Sequence, residues 1–199
     1  MKRRQAIKIS SIAAIGATAT ISSGCSSNEF SFNHGVASGD PLEDRVILWT
    51  RVTPSKPGPL NVILEISQNE NFSDIAFVKK LQTSSLSDYT IKYDFLANNY
   101  CDGHKGFFYR FRAGDAISEV GQSKIFSSET QKIKIGIFSC SNYPAGYFNA
   151  YEAAAEKNDL DLWLHLGDYL YEYPMGGYAT ESAEKLGRTP NPKHEMITL

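Results

Sequence analysis

Two apolar runs in this 199-residue chain end on side chains that can do chemistry. Residues 133–139 lead to Cys140; residues 160–167 lead to Asp168, with Tyr171 three places further on. Joined by one helix, the two runs lie parallel and bring a thiolate, a carboxylate and a phenolate to the carboxyl edge of one sheet, where open α/β sheets bind ligands. Carboxylate and phenolate are hard oxygen donors and a thiolate binds metals outright, so the trio reads as part of a metal site.

The elements that must hold these residues are legible in residues 129–199. Ile133 to Phe138 is a continuous β-type run, the pattern of a strand buried on both faces of a parallel sheet. From Tyr147 to Lys157 the apolar positions Tyr147, Phe148, Tyr151, Ala154 and Ala155 fall at helical spacing, which predicts an amphipathic helix of about three turns. Asn158-Asp159 supplies a stop, and the second strand runs over 160–166. The unit is strand, right-handed crossover helix, strand. No further strand is visible before Leu199, and a lone βαβ unit cannot cover both faces of its sheet, so this part reads as the truncated start of an α/β domain.

Residues 30–128 follow a different grammar. Runs over 45–52, 62–67, 75–81, 90–96 and 107–112 alternate or are rich in β-branched and aromatic residues, with Pro, Gly, Asn and Asp between them. Ala113-Gly114-Asp115-Ala116 is a hairpin turn into a strand over 117–126. An all-β sandwich of the immunoglobulin or fibronectin-III kind is expected.

Residues 1–29 read as a signal peptide and polar tether. Lys2-Arg3-Arg4-Gln5-Ala6-Ile7-Lys8 precedes a weakly apolar stretch too short and polar to span a bilayer, and its paired arginines resemble the twin-arginine export signal. Two exits stay open. Ala17-Thr18-Ala19 fits cleavage, and Ser22-Ser23-Gly24-Cys25 resembles a lipobox whose large aliphatic residue is displaced to Ile21. Both place the mature protein in the periplasm or outside the cell, touching a membrane only through a lipid on Cys25.

With 42% hydrophobic and 21% charged residues and a net charge of −2, the chain has a globular composition and no basic patch for nucleic acid beyond its first residues. Three cysteines, Cys25, Cys101 and Cys140, make no disulfide framework; a bridge between Cys101 and Cys140 is the simplest structural alternative.

Two blocks carry a family resemblance. The first is Phe32-Asn33-His34-Gly35-Val36-Ala37-Ser38-Gly39-Asp40-Pro41 with Val46-Ile47-Leu48-Trp49-Thr50-Arg51-Val52; the second is Ser139-Cys140-Ser141-Asn142 with His165-Leu166-Gly167-Asp168-Tyr169-Leu170-Tyr171-Glu172-Tyr173. The sequence resembles the PhoD-like alkaline phosphatase and phosphodiesterase family from Phe30 to Leu199. The resemblance implies hydrolysis of phosphate mono- and diesters at ferric iron (Fe3+) and calcium (Ca2+), with a metal-activated water or hydroxide attacking phosphorus. It implies Cys140 and Tyr171 as iron ligands, Asp168 bridging iron and calcium, and the twin-arginine translocase as the partner in export. The helix N-terminus near Gly146 would favour a phosphate, and Asn142 just before it is assigned a hydrogen bond to that group. Later ligands of the family have no counterpart before Leu199, so the fragment is expected to be inactive alone.

Other readings are a cysteine-based hydrolase or redox enzyme using Cys140 and His165, and a noncatalytic surface-binding sandwich. Taken singly, Cys140 is a small buried hydrophobe, Asp168 a turn former and Tyr171 an aromatic under a loop. His165 reads as a core histidine or one behind the ligands. His34, Asp40, Arg45 and Arg51 are given no chemistry.

Overall fold

The computed structural model describes residues 29–97, 100, 106–157 and 159–197. The signal segment before Glu29, the alternatives at Cys25, the Cys101 bridge and the stop at Asn158 lie outside these residues. Among the described residues the structure is mostly β-sheet with one α-helix, and the chain divides after Ile125 into two compact units.

The first unit contains β1 (Phe30–Ser31), β2 (Val36–Gly39), β3 (Arg45–Arg51), β4 (Thr53–Pro54), β5 (Leu60–Ser67), β6 (Ile75–Thr83), β7 (Thr90–Leu96), β8 (Phe107–Ala113), β9 (Ala116–Ile117) and β10 (Gly121–Ser123). One antiparallel sheet has the order β2-β3-β7. A second has the order β10-β8-β5-β6 with β9 also on β8, and β1 pairs with β4. Every residue of the two-residue alternation matters here: Val46, Leu48 and Thr50 of β3 and Phe107, Tyr109, Phe111 and Ala113 of β8 point inward, as strand geometry requires. These strands, with Leu60, Val62, Leu64 and Ile66 of β5, build one continuous core from both sheets. Phe95 of β7 meets Phe77 of β6 and Phe107 of β8, each at 5.2 Å between ring centres. Each such side chain gains roughly 1.5–3 kcal/mol from burial.

Glu65 breaks the apolar run of β5 and is buried. It is held by Arg110 Nε at 2.7 Å and Arg112 Nη1 at 3.0 Å from the neighbouring β8. Arg51 grips both oxygens of Asp88, at 3.0 and 2.8 Å, and lies 2.8 Å from His34 Nε2. His34 and Arg51 thus have a structural explanation.

The hairpin at Gly114-Asp115 forms, with Ala113 paired to Ala116. Of its two central residues only Gly114 takes a positive φ, 54°, as a type II′ turn asks of its first position. The single strand expected over 117–126 is instead β9 and β10. Between them the register against β8 slips by one residue, and Ser118 bridges the gap: its Oγ accepts from Phe111 N–H at 2.9 Å and donates to Glu119 C=O at 2.7 Å. Past the slip, Gly121 pairs with Tyr109, and a Cβ on Gly121 would come far closer to Tyr109 Cζ than van der Waals contact.

The second unit contains β11 (Ile135–Phe138), α1 (Asn149–Lys157) and β12 (Leu162–His165). The two strands pair in parallel, Ile135 with Leu162 through Phe138 with His165. Register puts Gly136, Phe138, Trp163 and His165 on one face. From α1, Tyr151 packs on that face, 4.8 Å from the Phe138 ring and 6.4 Å from His165. The other face carries Ile135, Ile137, Leu162 and Leu164. Here the expectation of burial on both faces fails: Ile137 is 63% and Leu164 44% exposed on the face without a helix, and Trp163 is 59% exposed on the face that α1 covers only in part.

The helix also starts later than its sequence pattern suggests. Tyr143–Ala145 form a 3₁₀ turn, and Phe148 C=O accepts the first helical bonds from Tyr151 and Glu152. Tyr147 and Phe148 stand outside α1 as ring platforms for Arg188, whose guanidinium lies 3.9 Å from the Tyr143 ring centre and 4.5 Å from that of Phe148. After His165 the described residues form no strand or helix, and the bonds Met175 N–H to Lys193 C=O and Met196 N–H to Glu172 C=O fold this stretch back on itself.

Candidate metal centre

Parallel pairing sends β11 and β12 out of the sheet at the same edge. The pairing continues past the strands: Leu166 N–H bonds Phe138 C=O at 2.8 Å, Cys140 N–H bonds Gly167 C=O at 3.1 Å, and Ser141 N–H bonds Asp168 C=O at 2.8 Å. Inside this clasp two non-glycine residues adopt left-handed backbone, Cys140 at φ 62° and Asp168 at φ 53°. Cysteine rarely does so, and such conformations persist where the surroundings enforce them.

The consequence is a convergence on one atom. Cys140 Sγ lies 3.5 Å from Asp168 Oδ2 and donates to it, and Tyr171 O–H donates to the same oxygen at 3.2 Å. Cys140 is an exposed free thiol. The Tyr171 hydroxyl is pushed above the ordinary phenol range, first by its hydrogen bond with Cys140, then by desolvation and by Asp168. The cluster therefore favours the protonated phenol when no cation is present, and a cation placed among the three would invert that preference. Two oxygen donors and a sulfur with removable protons are a chemically suitable donor set for a metal. Among the described residues no group of three or more His, Cys, Asp and Glu stands together, so the centre depends on the phenol as its third donor.

Asn142 is not part of that convergence. Both polar atoms of its side chain are shielded and lack a partner, and the residue lines a cavity of about 890 Å³ together with Tyr171, Phe138, Tyr151 and Trp163. An unpartnered amide is costly unless something else satisfies it. The free N–H groups expected near Gly146 belong instead to the helix start at Asn149.

Sequence reasoning put His165 in the core or behind the ligands but gave no role to its partners in a polar network behind the cluster, Ser141 and Tyr151. Ser141 Oγ bonds both His165 Nε2, at 2.8 Å, and the Tyr151 hydroxyl, while His165 Nδ1 accepts from Gly167 N–H at 3.3 Å. The available signal was positional: Ser141 follows Cys140, and His165 ends the strand that leads to Asp168.

Comparison with known proteins identifies the family. Residues 17–127 match the model of the PhoD-like phosphatase N-terminal domain, and residues 135–199 match that of the PhoD-like phosphatase. The chain belongs to the PhoD-like phosphatase family. It is 35% identical over 187 residues to alkaline phosphatase D of Bacillus subtilis (strain 168), a match that covers 86% of this chain and 30% of the relative. It also resembles a solved structure of PhoD, at 31% identity and a TM-score of 0.69, covering 82% of this chain and 32% of that one. The chain thus spans about a third of the length of these relatives. A glycosyl hydrolase family 2 member from Bacteroides cellulosilyticus DSM 14838 gives a TM-score of 0.35 at 13% identity, over 65% of this chain and 22% of that one, a likeness that carries no argument.

Proposed function

We propose that this chain is the front portion of an exported, metal-dependent phosphoric ester hydrolase of the alkaline phosphatase or phosphodiesterase type. Its first unit is read as an immunoglobulin or fibronectin-III-like sandwich, and its second as the opening βαβ unit of a metallophosphoesterase-like domain. Export by the twin-arginine translocase to the periplasm or cell exterior, with or without a lipid on Cys25, completes the reading. The observation that carries the function is the convergence of Cys140 and Tyr171 on Asp168 Oδ2. Family membership supports the reaction class.

In this reading Cys140, Asp168 and Tyr171 would hold ferric iron, the thiol and phenol as their deprotonated forms, and the Asp168 carboxylate would also serve calcium. Bound iron and calcium would supply Lewis-acid polarisation of the phosphoryl group and a lowered water pKa. Asn142 turns its unpartnered amide to a phosphoryl oxygen of the mono- or diester. Three donors from one sheet edge hold a cation weakly, so metal binding is expected of this chain and turnover is not. A cysteine nucleophile served by His165 is disfavoured, since the thiol is bonded to Asp168 and the imidazole to Ser141.

The test is elemental analysis of the purified chain and of Cys140→Ser, with phosphodiester hydrolysis assayed in added calcium. Iron in the parent and its loss in the variant are expected. Equal, trace iron in both would overturn the site assignment and leave the noncatalytic sandwich as the better description.

A further inference from the structure

The cluster atoms are fixed by two left-handed turns that have no glycine at Cys140 or Asp168. Such turns need an external lock. Backbone bonds between residues 140–141 and 167–168 provide part of it. The remainder is a single imidazole. Because Gly167 N–H donates to His165 Nδ1, that nitrogen is bare and the neutral ring carries its proton on Nε2, aimed at Ser141 Oγ. Ser141 is then tied to α1 through the Tyr151 hydroxyl. One ring thereby joins the loop after β11, the loop after β12 and the helix between them.

We propose that His165 is the positioning residue of the thiol–carboxylate–phenol cluster: by bonding Ser141 on one nitrogen and Gly167 on the other, it holds Cys140 and Asp168 in the turns that aim Sγ and the Tyr171 hydroxyl at one oxygen. The inference rests on reading that cluster as a metal site. His165 bonds Ser141 and Gly167 and none of the three donor side chains. It acts through its neighbours, as groups behind metal ligands commonly do.

Removing the ring releases the loops. In the 199-residue chain, His165→Leu removes both hydrogen bonds, Ser141→Ala removes the inter-loop one, and His165→Gln keeps an amide N–H near the Nε2 position for Ser141. Two readouts apply: the alkylation rate of Cys140 in metal-free protein, followed by the mass of its peptide, and ferric iron affinity from the phenolate-to-iron absorption band. His165→Leu and Ser141→Ala are expected to raise the alkylation rate about threefold or more, as the thiol loses its tether to Asp168. They should weaken iron binding about tenfold or more, with His165→Gln within about twofold of the parent. Circular dichroism and a thermal melt establish that each variant is folded; should His165→Leu not fold, Ser141→Ala carries the test.

A folded His165→Leu with the parent's alkylation rate and iron affinity overturns the positioning role while leaving the metal site intact. The split in alkylation rates without iron binding by the parent supports the positioning role and removes the metal reading.

Discussion

β3 and β11 are both short apolar strands with alternating exposure, yet the aliphatic face of each ends in different surroundings. Val46 and Leu48 are closed over by a second sheet, whereas Ile137 and its register partner Leu164 face solvent. Among the described residues the first unit holds nearly every buried apolar side chain, with Pro144 and Ala183 the exceptions in the second. Strand sequence decides which residues share a face; only a second layer decides whether that face is buried. The unit with little core is also the one that carries the candidate chemistry. Its working geometry is kept by hydrogen bonds among Ser141, Tyr151, His165 and Gly167 more than by packing.

The largest effect that tests this contrast is core truncation. Phe107→Ala should cost about 3–5 kcal/mol in urea unfolding of the first unit, and Ile137→Ala in the second less than about 0.5 kcal/mol. Comparable costs would break the comparison. Next is alkaline pH. Burial drives the Tyr109 phenol up from 10.0 to about 12, partly offset by a hydrogen bond with Ser38. Folding thus favours the neutral ring. Its stabilisation is full below pH 10 and is lost as pH rises through about 12, a fall of about 2–3 kcal/mol that Tyr109→Phe should abolish. A pH melt series followed by near-ultraviolet circular dichroism measures it, and a loss confined to the second unit would contradict the assignment.

Smaller still is Glu65→Ala, which leaves Arg110 and Arg112 without their carboxylate. Both arginines keep partial contact with water, so about 2 kcal/mol is expected rather than the full cost of a buried broken pair. Replacement by Leu, which refills the volume, should recover part of that loss in the same unfolding assay and would sharpen the view that this unit rests on its core.

Much of this architecture was legible in the sequence. Period-two runs located β3, β5, β6, β7 and β8 to within about two residues, and the Gly114 turn fell where Gly-Asp follows an aromatic strand. What alternation cannot register is an inserted residue, so the break at Ser118 between β9 and β10 was missed. The helix pattern counted Tyr147 and Phe148 because their spacing is helical, while ring contacts with Arg188 hold them outside α1. In the candidate site, Cys140, Asp168 and Tyr171 were found by residue type at strand ends, and the structure brings them together. The hydrogen-bonding roles of Ser141 and Tyr151 were not foreseen, since a lone hydroxyl has no type-specific signature. The left-handed turns at Cys140 and Asp168 were not foreseen either, since backbone sign is written clearly only where glycine stands.

The fit of the Tyr109 ring over Gly121 has a bearing on how this protein can change over generations. Any side chain at position 121 collides with the ring as it stands, so replacing the glycine requires the buried Tyr109 ring to shift or first to become smaller. A lineage that substitutes in the opposite order must pass through a poorly folding intermediate, and this pair of sites therefore imposes a direction on drift within the sheet.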